Sequence, residues 1–451
     1  MPISTFLGIQ TALRGILAQQ RGLDTTSHNV ANAQTPGYTR QEAVLAASAP
    51  LTVPAGGIAD GSAARIGTGV DVQEYRRIRD EFLDLQYRGQ AMELSDQESR
   101  SAALDQVESA LAEPGDNGVG AELGRFWSAW EDLANAPSSP AAAQALVERA
   151  RNLAGTINEL QRRMDTVRMQ AGEELASLTG PTGEIAAMAR DLAGTFNAIR
   201  DAEKTGAQPN DLYDHRDLLL DHLATLGQVS VTPSPGGGSD VTLGGVTIVE
   251  SDDASGVAAV PPGAFPMTLG ASPGGRLGAL QSLASATGPI AGYQDQLAQV
   301  AGALAASVNG VYSATGSTFF TFGTGASGLP ELNVSPGIDA TTVRAGAGAA
   351  GSNDVALGMG ALRGGDADSR YARLVTQIGS DVADAGRREA TARILADNLD
   401  ARRQSIAGVS LDEEMTNLIR FQRGYQASAR AMSTVDEMLD TLINRTGRVG
   451  L

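Results

Sequence analysis

Two apolar stripes of helical length, one at each end of the chain, constrain this sequence more than any other feature. Phe6, Ile9, Leu13, Ile16, Gln20 and Leu23 step by alternating threes and fours, which lines one helix face with the period of a coiled coil. Leu411, Met415, Leu418, Phe421, Tyr425, Met432, Val435, Leu439 and Leu442 keep the same period at the other end. That second run covers about 32 residues, roughly 48 Å of helix at 1.5 Å per residue, with Gly447 and Gly450 as its stop. Helices of this kind do not persist in water on propensity alone, so each stripe needs an apolar partner. Burial against helices of neighbouring subunits is expected, with mutual pairing of the two ends as the alternative. The segments before about Thr39 and after about Gly408 are then expected to be mobile in a lone chain.

Between the ends the pattern is that of a helical bundle. Helices are expected from about Asp80 to Ala112, Gly120 to Ala134, Pro140 to Leu178, Gly183 to Ala202 and Asn210 to Leu226. Their breaks carry turn residues, as in Pro114-Gly115-Asp116-Asn117-Gly118 and Gly180-Pro181-Thr182-Gly183. From Val229 to Leu269 apolar residues alternate around glycine-rich turns, which predicts strands. Helix returns from about Leu277 to Tyr312, and a glycine-rich irregular or β-like region follows over 313–365. A last long helix is expected from near Asp368 to Ala407, stopped by Gly408, with Ser410 capping the terminal stripe. The fold class expected is mainly α with a small β insert, terminal coiled-coil helices flanking a helical-bundle body in an elongated, nested, multidomain architecture. Segments are expected at 1–40 and 409–451 (axial), 41–228 and 276–408 (body) and 229–275 (β insert).

Composition removes several classes of function. The net charge of −18 repels phosphate backbones and anionic lipid headgroups, so neither nucleic acid nor membrane is expected as a partner. No cysteine is present, which excludes disulfides, thiolate catalysis and Cys-ligated metals. Lys204 is the single lysine, so Schiff-base chemistry has almost no candidate. The N-terminus, with Arg14 and Arg21 interrupting its apolar pattern, lacks the form of a cleaved signal peptide.

Candidate active sites reduce to structural readings. His215 and His222 lie two turns apart near Asp214, Asp217 and Asp221, but no zinc-type spacing accompanies them, and a solvated or hydrogen-bonded helix face is expected. Gly270-Ala271-Ser272-Pro273-Gly274 matches a nucleophile elbow, yet no histidine follows His222, so a turn leaving the β insert is expected. The glycine triplets at 323–328 and 346–351 lack a strand-helix-strand frame. Trp127 and Trp130 beside Phe126 are read as bundle core. No catalytic, cofactor or metal residue is assigned.

The most specific stretches are terminal. Ser27-His28-Asn29-Val30-Ala31-Asn32-Ala33-Gln34-Thr35-Pro36-Gly37-Tyr38-Thr39-Arg40-Gln41 resembles the N-terminal signature of the rod, hook and hook-associated axial proteins of bacterial flagella. Physically it closes a helix: Asn32 and Thr35 can bond nearby backbone, Pro36 stops propagation and Gly37 permits a turn. Gly408 to Met415 and Phe421-Gln422-Arg423-Gly424-Tyr425-Gln426-Ala427-Ser428-Ala429-Arg430 resemble the C-terminal signature of the same proteins. In the interior, Phe126 to Trp130, Pro209 to Asp217 and Val308-Asn309 are similar to the hook-filament junction family, the first hook-associated proteins. His28 and Gly424 depart from that pattern, standing where the family usually has Asn and Ala.

The resemblance implies a non-enzymatic structural subunit, exported through the flagellar secretion channel without a cleaved signal and located outside the cell at the hook-filament junction. It implies partners too: copies of the chain in a homo-oligomeric ring, the hook protein, a second junction protein towards the filament, and an export chaperone at the C-terminal helix. No cofactor is implied. The expected assembly interface comprises Phe6, Ile9, Leu13, Ile16, Leu23, Asn29, Ala31, Asn32, Thr35, Gly37, Tyr38, Leu411, Met415, Leu418, Phe421, Tyr425, Met432, Val435, Leu439 and Leu442. A rod or hook subunit is the alternative within the class, and a cell-wall hydrolase the alternative outside it.

Overall fold

The computed structural model describes residues 7–53, 64–234, 238–252, 256–260, 267–325, 328–349 and 351–444. Helix α1 (Leu7–Ala31) leads into β1 (Gln41–Ala47), which pairs antiparallel with β4 (Val70–Arg77) from Gln41 opposite Arg77 to Ala47 opposite Val70. A bulge at Val44/Leu45 interrupts that ladder, and β2 (Leu51–Val53) with β3 (Ala64–Ile66) extends the ribbon. The strands fall in the part of segment 41–228 that precedes the first helix expected near Asp80, where no element is predicted. Their alternation is broken by the bulge and by charged residues, so the sequence carries little period-two signal there.

The bundle follows as α2 (Glu81–Leu111), α3 (Val119–Asn135), α4 (Pro140–Thr179), α5 (Glu184–Lys204) and α6 (Asn210–Leu226). Local chemistry sets these starts. Asp80 accepts hydrogen bonds from the Phe82 and Leu83 amides at 3.0 and 3.1 Å, and Ser139 accepts from Ala142 at 3.3 Å with Pro140 in the first turn. Strands β5 (Val229–Pro233), β6 (Ser239–Leu243), β7 (Val246–Asp252) and β8 (Gly256–Ala259) form an antiparallel meander in that order.

The helix expected from Leu277 to Tyr312 is two helices, α7 (Gly275–Ala284) and α8 (Pro289–Tyr312). Pro289 lacks an amide hydrogen, so it begins a helix more readily than it continues one. The glycine-rich stretch expected to be irregular or β-like holds the antiparallel pair β9 (Phe320–Thr324) and β10 (Pro330–Val334), and a helix outside that expectation, α9 (Asp354–Gly360), follows. Two long helices close the chain, α10 (Asp366–Ala407) and α11 (Leu411–Asn444).

The core explains why a glycine-rich segment orders. Phe126, Trp127 and Trp130 on α3 are fully buried against Tyr312, Phe319 and Phe320, with Trp130 and Phe319 rings 5.4 Å apart and Tyr312 and Phe319 rings 5.2 Å apart. The tryptophan pair is therefore bundle core, and its indole donor on Trp127 reaches Asp368 at 3.2 Å. Asparagines on helices hold the strands. Asn158 exchanges two 2.9 Å bonds with the backbone of Leu332, Asn197 bonds both backbone groups of Val257 at 2.6 and 3.0 Å, and Asn309 does the same for Phe320 at 2.8 and 2.9 Å. A carboxamide offers one donor edge and one acceptor, so it completes a strand edge as a neighbouring strand would.

Candidate assembly surface of the terminal helices

Helices α1 and α11 pack on each other in antiparallel fashion, and their contact is built on small residues. Gly8 faces Val435, Gly15 faces Ser428, Gly22 faces Phe421 and Asn29 faces Glu414, so both helices step by sevens along one seam. A Cβ at Gly22 would stand 2.6 Å from the Phe421 ring, and one at Gly424 would stand 2.6 Å from Gln19 Oε1. The helices therefore approach more closely than two ordinary side chains allow, and Gly424, one of the two departures from the family pattern, is a contact position.

This pairing realises the alternative, mutual pairing of the two ends, for part of each stripe. Leu418, Phe421, Met432, Val435 and Leu439 are half-buried on the α1 side of α11, while Leu411, Met415 and Tyr425 are exposed. On α1 the buried side is Ala12, Ala18, Gly22, Thr25, Thr26 and Asn29, with Ile9, Ile16 and Leu23 half-buried and Leu13 exposed. Phe6, Gly447, Gly450 and the side chain of Leu442 lie outside the described residues. The expected stripes thus split into an inner part, half-buried within the pair, and an exposed part comprising Leu13, Leu411, Met415 and Tyr425, beside which Leu17 and Ile419, outside the expected stripes, are also exposed.

The signature residues lock the base of this hairpin. Asn29, 1% exposed, donates to Gln41 O at 2.9 Å and to Glu414 Oε2 at 3.1 Å, and accepts from Tyr38 Oη at 2.7 Å and Gln41 N at 3.0 Å. Glu414, equally buried, also receives Arg40 Nε at 2.8 Å, and the Arg40 amide donates to Ala407 O at 2.9 Å. Asn32 serves the turn itself, bonding His28 O at 3.1 Å and accepting from Thr35 at 3.2 Å. Gly37 has a φ of +77°, and a Cβ there would lie 3.1 Å from Leu218. Ala31 is exposed. Burial, with Asp211, Asp214 and Glu414 near it, pushes the Tyr38 hydroxyl well above its usual range, so it stays a donor to Asn29. Asn29 and Tyr38 are legible in the motif, whereas their partner Glu414 is 385 positions away and unmarked by any stripe.

Below the hairpin lies an ion network that the sequence did not reveal. Of the solvated or hydrogen-bonded face expected here, Asp214, Asp217 and Asp221 take the hydrogen-bonded form, paired with arginines from other elements. Arg77 reaches Asp214 at 3.0 Å and Asp217 at 2.9 Å, Arg79 reaches Asp217 at 2.7 Å and also pairs with Asp84, and Arg88 reaches Asp221 at 2.7 Å. Arg403 from the end of α10 pairs with Asp221 and lies 4.0 Å from the Tyr87 ring centroid. Burial alone would raise the Asp217 carboxyl, but Arg216, Arg79 and Arg77 outweigh it and hold it below the ordinary range. For Asp214 burial prevails over the Thr39 and Arg77 hydrogen bonds, and its carboxyl is raised. His215 is exposed with Asp191 at 3.3 Å, and His222 is exposed. Among the described residues no cluster of three or more His, Asp or Glu could hold a metal, and no helix is long and apolar enough to cross a membrane.

Comparison with known proteins covers both the ends and the body. Residues 104–319 match the family model of the flagellar hook-associated protein FlgK helical domain, residues 403–445 that of the flagellar basal body rod FlgEFG protein C-terminal, and residues 9–39 that of the flagella basal body rod protein. The flagellar hook-associated protein 1 of Bacillus subtilis (strain 168) is 30% identical over 506 aligned positions, covering 98% of this chain and 99% of the relative. Its counterpart in Escherichia coli (strain K12) is 25% identical over 553 positions, covering 97% and 99%. Among solved structures, the flagellar hook junction protein FlgK from Burkholderia pseudomallei overlaps 53% of this chain and 47% of its own, with a TM-score of 0.43 and 20% identity, a likeness too loose to support further argument.

Proposed function

Because this chain belongs to the flagellar hook-associated protein 1 family, matching a relative from end to end at 30% identity, we propose that it joins hook to filament through its terminal helical hairpin. It is an extracellular, structural component of the flagellum, and no catalytic role is assigned to it. In this reading the partners are further copies around the axis, the hook protein below and a second junction protein above. The same α11 serves an export chaperone before assembly. Segments 1–40 and 409–451 are the axial part, with the body and the β insert facing outward.

The observation that carries this reading is the outer half of the hairpin. Leu17 is 50% exposed, Leu411 53%, Met415 51% and Ile419 47%, and Leu13, Tyr425 and Met438 on the same helical pair are exposed as well. Apolar side chains that recur along one rigid element mark a surface suited to a partner. Assembly supplies that partner.

The test is a double substitution outside the seam, Leu17→Asp with Met415→Asp, added as purified protein with flagellin to hooks lacking filament. Helix content should be retained while hooks stay bare, because a carboxylate buried in an apolar contact loses its water without gaining a partner. Filaments seeded as well as by the unsubstituted chain would show that this face is not the assembly surface.

A further inference from the structure

The outward surface of α11 carries charge in an order that the seam does not require, and this deepens the assembly reading on which it rests. At 3.6 residues per turn, Arg423 and Arg430 lie on the side opposite α1, while Asp436 and Asp440 lie on a flank about 100° around the helix. All four are exposed, and none has an ion-pair partner among the described residues; the exposed acids Asp412 and Glu437 share the arginine side beyond its two ends. No acid occurs on α11 between Glu414 and Asp436, and no base between Arg430 and Asn444. Arg445 and Arg448 lie outside the described residues.

We infer that a second copy of this chain docks on α11, with Arg423 and Arg430 of one copy meeting Asp436 and Asp440 of the next. Copies arranged around an axis point the same way along it and use two different faces, one from each neighbour. The arginine side and the aspartate flank are such a pair of faces. At equal height, however, the flank presented to the arginines is neutral, holding Gln422 and Ala429. The acids come level only when the neighbour is displaced along the helix by about 12 residues, or about 18 Å at 1.5 Å per residue. Charge complementarity thus specifies an axial step between copies, while at equal height Glu437 on the arginine side would face the neighbour's Asp436 and Asp440 and repel them.

Charge reversal on assembled protein tests this. Arg423→Glu with Arg430→Glu should cap at least tenfold fewer hooks than the unsubstituted chain, and Asp436→Arg with Asp440→Arg likewise. All four reversals in one chain should restore capping, since the swapped faces are again complementary. Half-reversed variants that cap normally, or a full swap that stays inactive while keeping its helix content, overturn the inference. The step is read separately by disulfide trapping, which the absence of native cysteine makes unambiguous. On capped hooks, Arg423→Cys in one copy should cross-link to Asp436→Cys in another at least fivefold more than to Gln422→Cys. Equal or reversed yields overturn it. Unsubstituted chain that fails to cap hooks refutes the junction reading and this inference together, whereas capping by every variant alike refutes this inference alone.

Discussion

Replacing Asn29 by alanine should loosen the terminal hairpin while leaving the body intact. The side chain makes four hydrogen bonds between 2.7 and 3.1 Å, three to neutral groups and one to the buried Glu414 carboxylate. Neutral bonds contribute about 1 kcal/mol each and a bond to a charged group about 2 kcal/mol, so roughly 5 kcal/mol is at stake. Water entering the vacated space recovers part of it, which leaves a cost of about 3 to 5 kcal/mol. At 1.4 kcal/mol per tenfold, opening of the pair becomes roughly 100- to 4,000-fold more frequent. Native-state hydrogen exchange reads this directly, with amides of α11 losing protection and amides of α3 around Trp127 and Trp130 serving as the internal reference. Asn32→Ala should do less, because Asn32 bonds only within its own turn. Unchanged protection of α11 in Asn29→Ala would refute the claim that this residue ties the two ends of the chain together.

Gly22→Leu should cost about 1–3 kcal/mol by forcing the Phe421 ring away from a position 2.6 Å from the new Cβ. Thermal melting should show the loss and a further Phe421→Ala change should recover part of it, while a melt identical to the unsubstituted chain would mean the seam is not close-packed. Asp217→Asn should cost about 3–5 kcal/mol by leaving buried arginines without their shared acceptor. Because the folded state lowers the Asp217 carboxyl, its contribution is complete above the unfolded pKa of about 4 and is lost as pH falls through the lower folded value, so the variant should show a flatter acid limb in urea titrations. Asp214→Asn should be better tolerated at neutral pH, since burial raises that carboxyl and its ionised form already carries a penalty; equal losses for both variants would contradict the assignment.

Sequence by itself determined where the long helices lie, because their starts and stops are local chemistry. Asp80, Ser139 with Pro140, and Gly408 act on backbone groups within a few residues, and apolar periodicity needs no distant partner to be visible. It also determined that both ends require an apolar partner, and its signatures pointed to the flagellar family. Tertiary structure alone decided which partner and which face. The seam between α1 and α11 is made by Gly8, Gly15, Gly22 and Gly424, residues with no hydrophobic signal, whose contribution is the space they leave. The same holds for the polar centres. Asn29, Glu414 and the arginines around Asp217 read as surface in a one-dimensional pattern, because a buried charge is tolerable only when its partner arrives from another part of the chain. The glycine-rich stretch ordered for a related reason: Phe319 and Phe320 enter a core whose other wall, Trp127 and Trp130, lies nearly two hundred residues earlier, and only folding brings the two walls into contact.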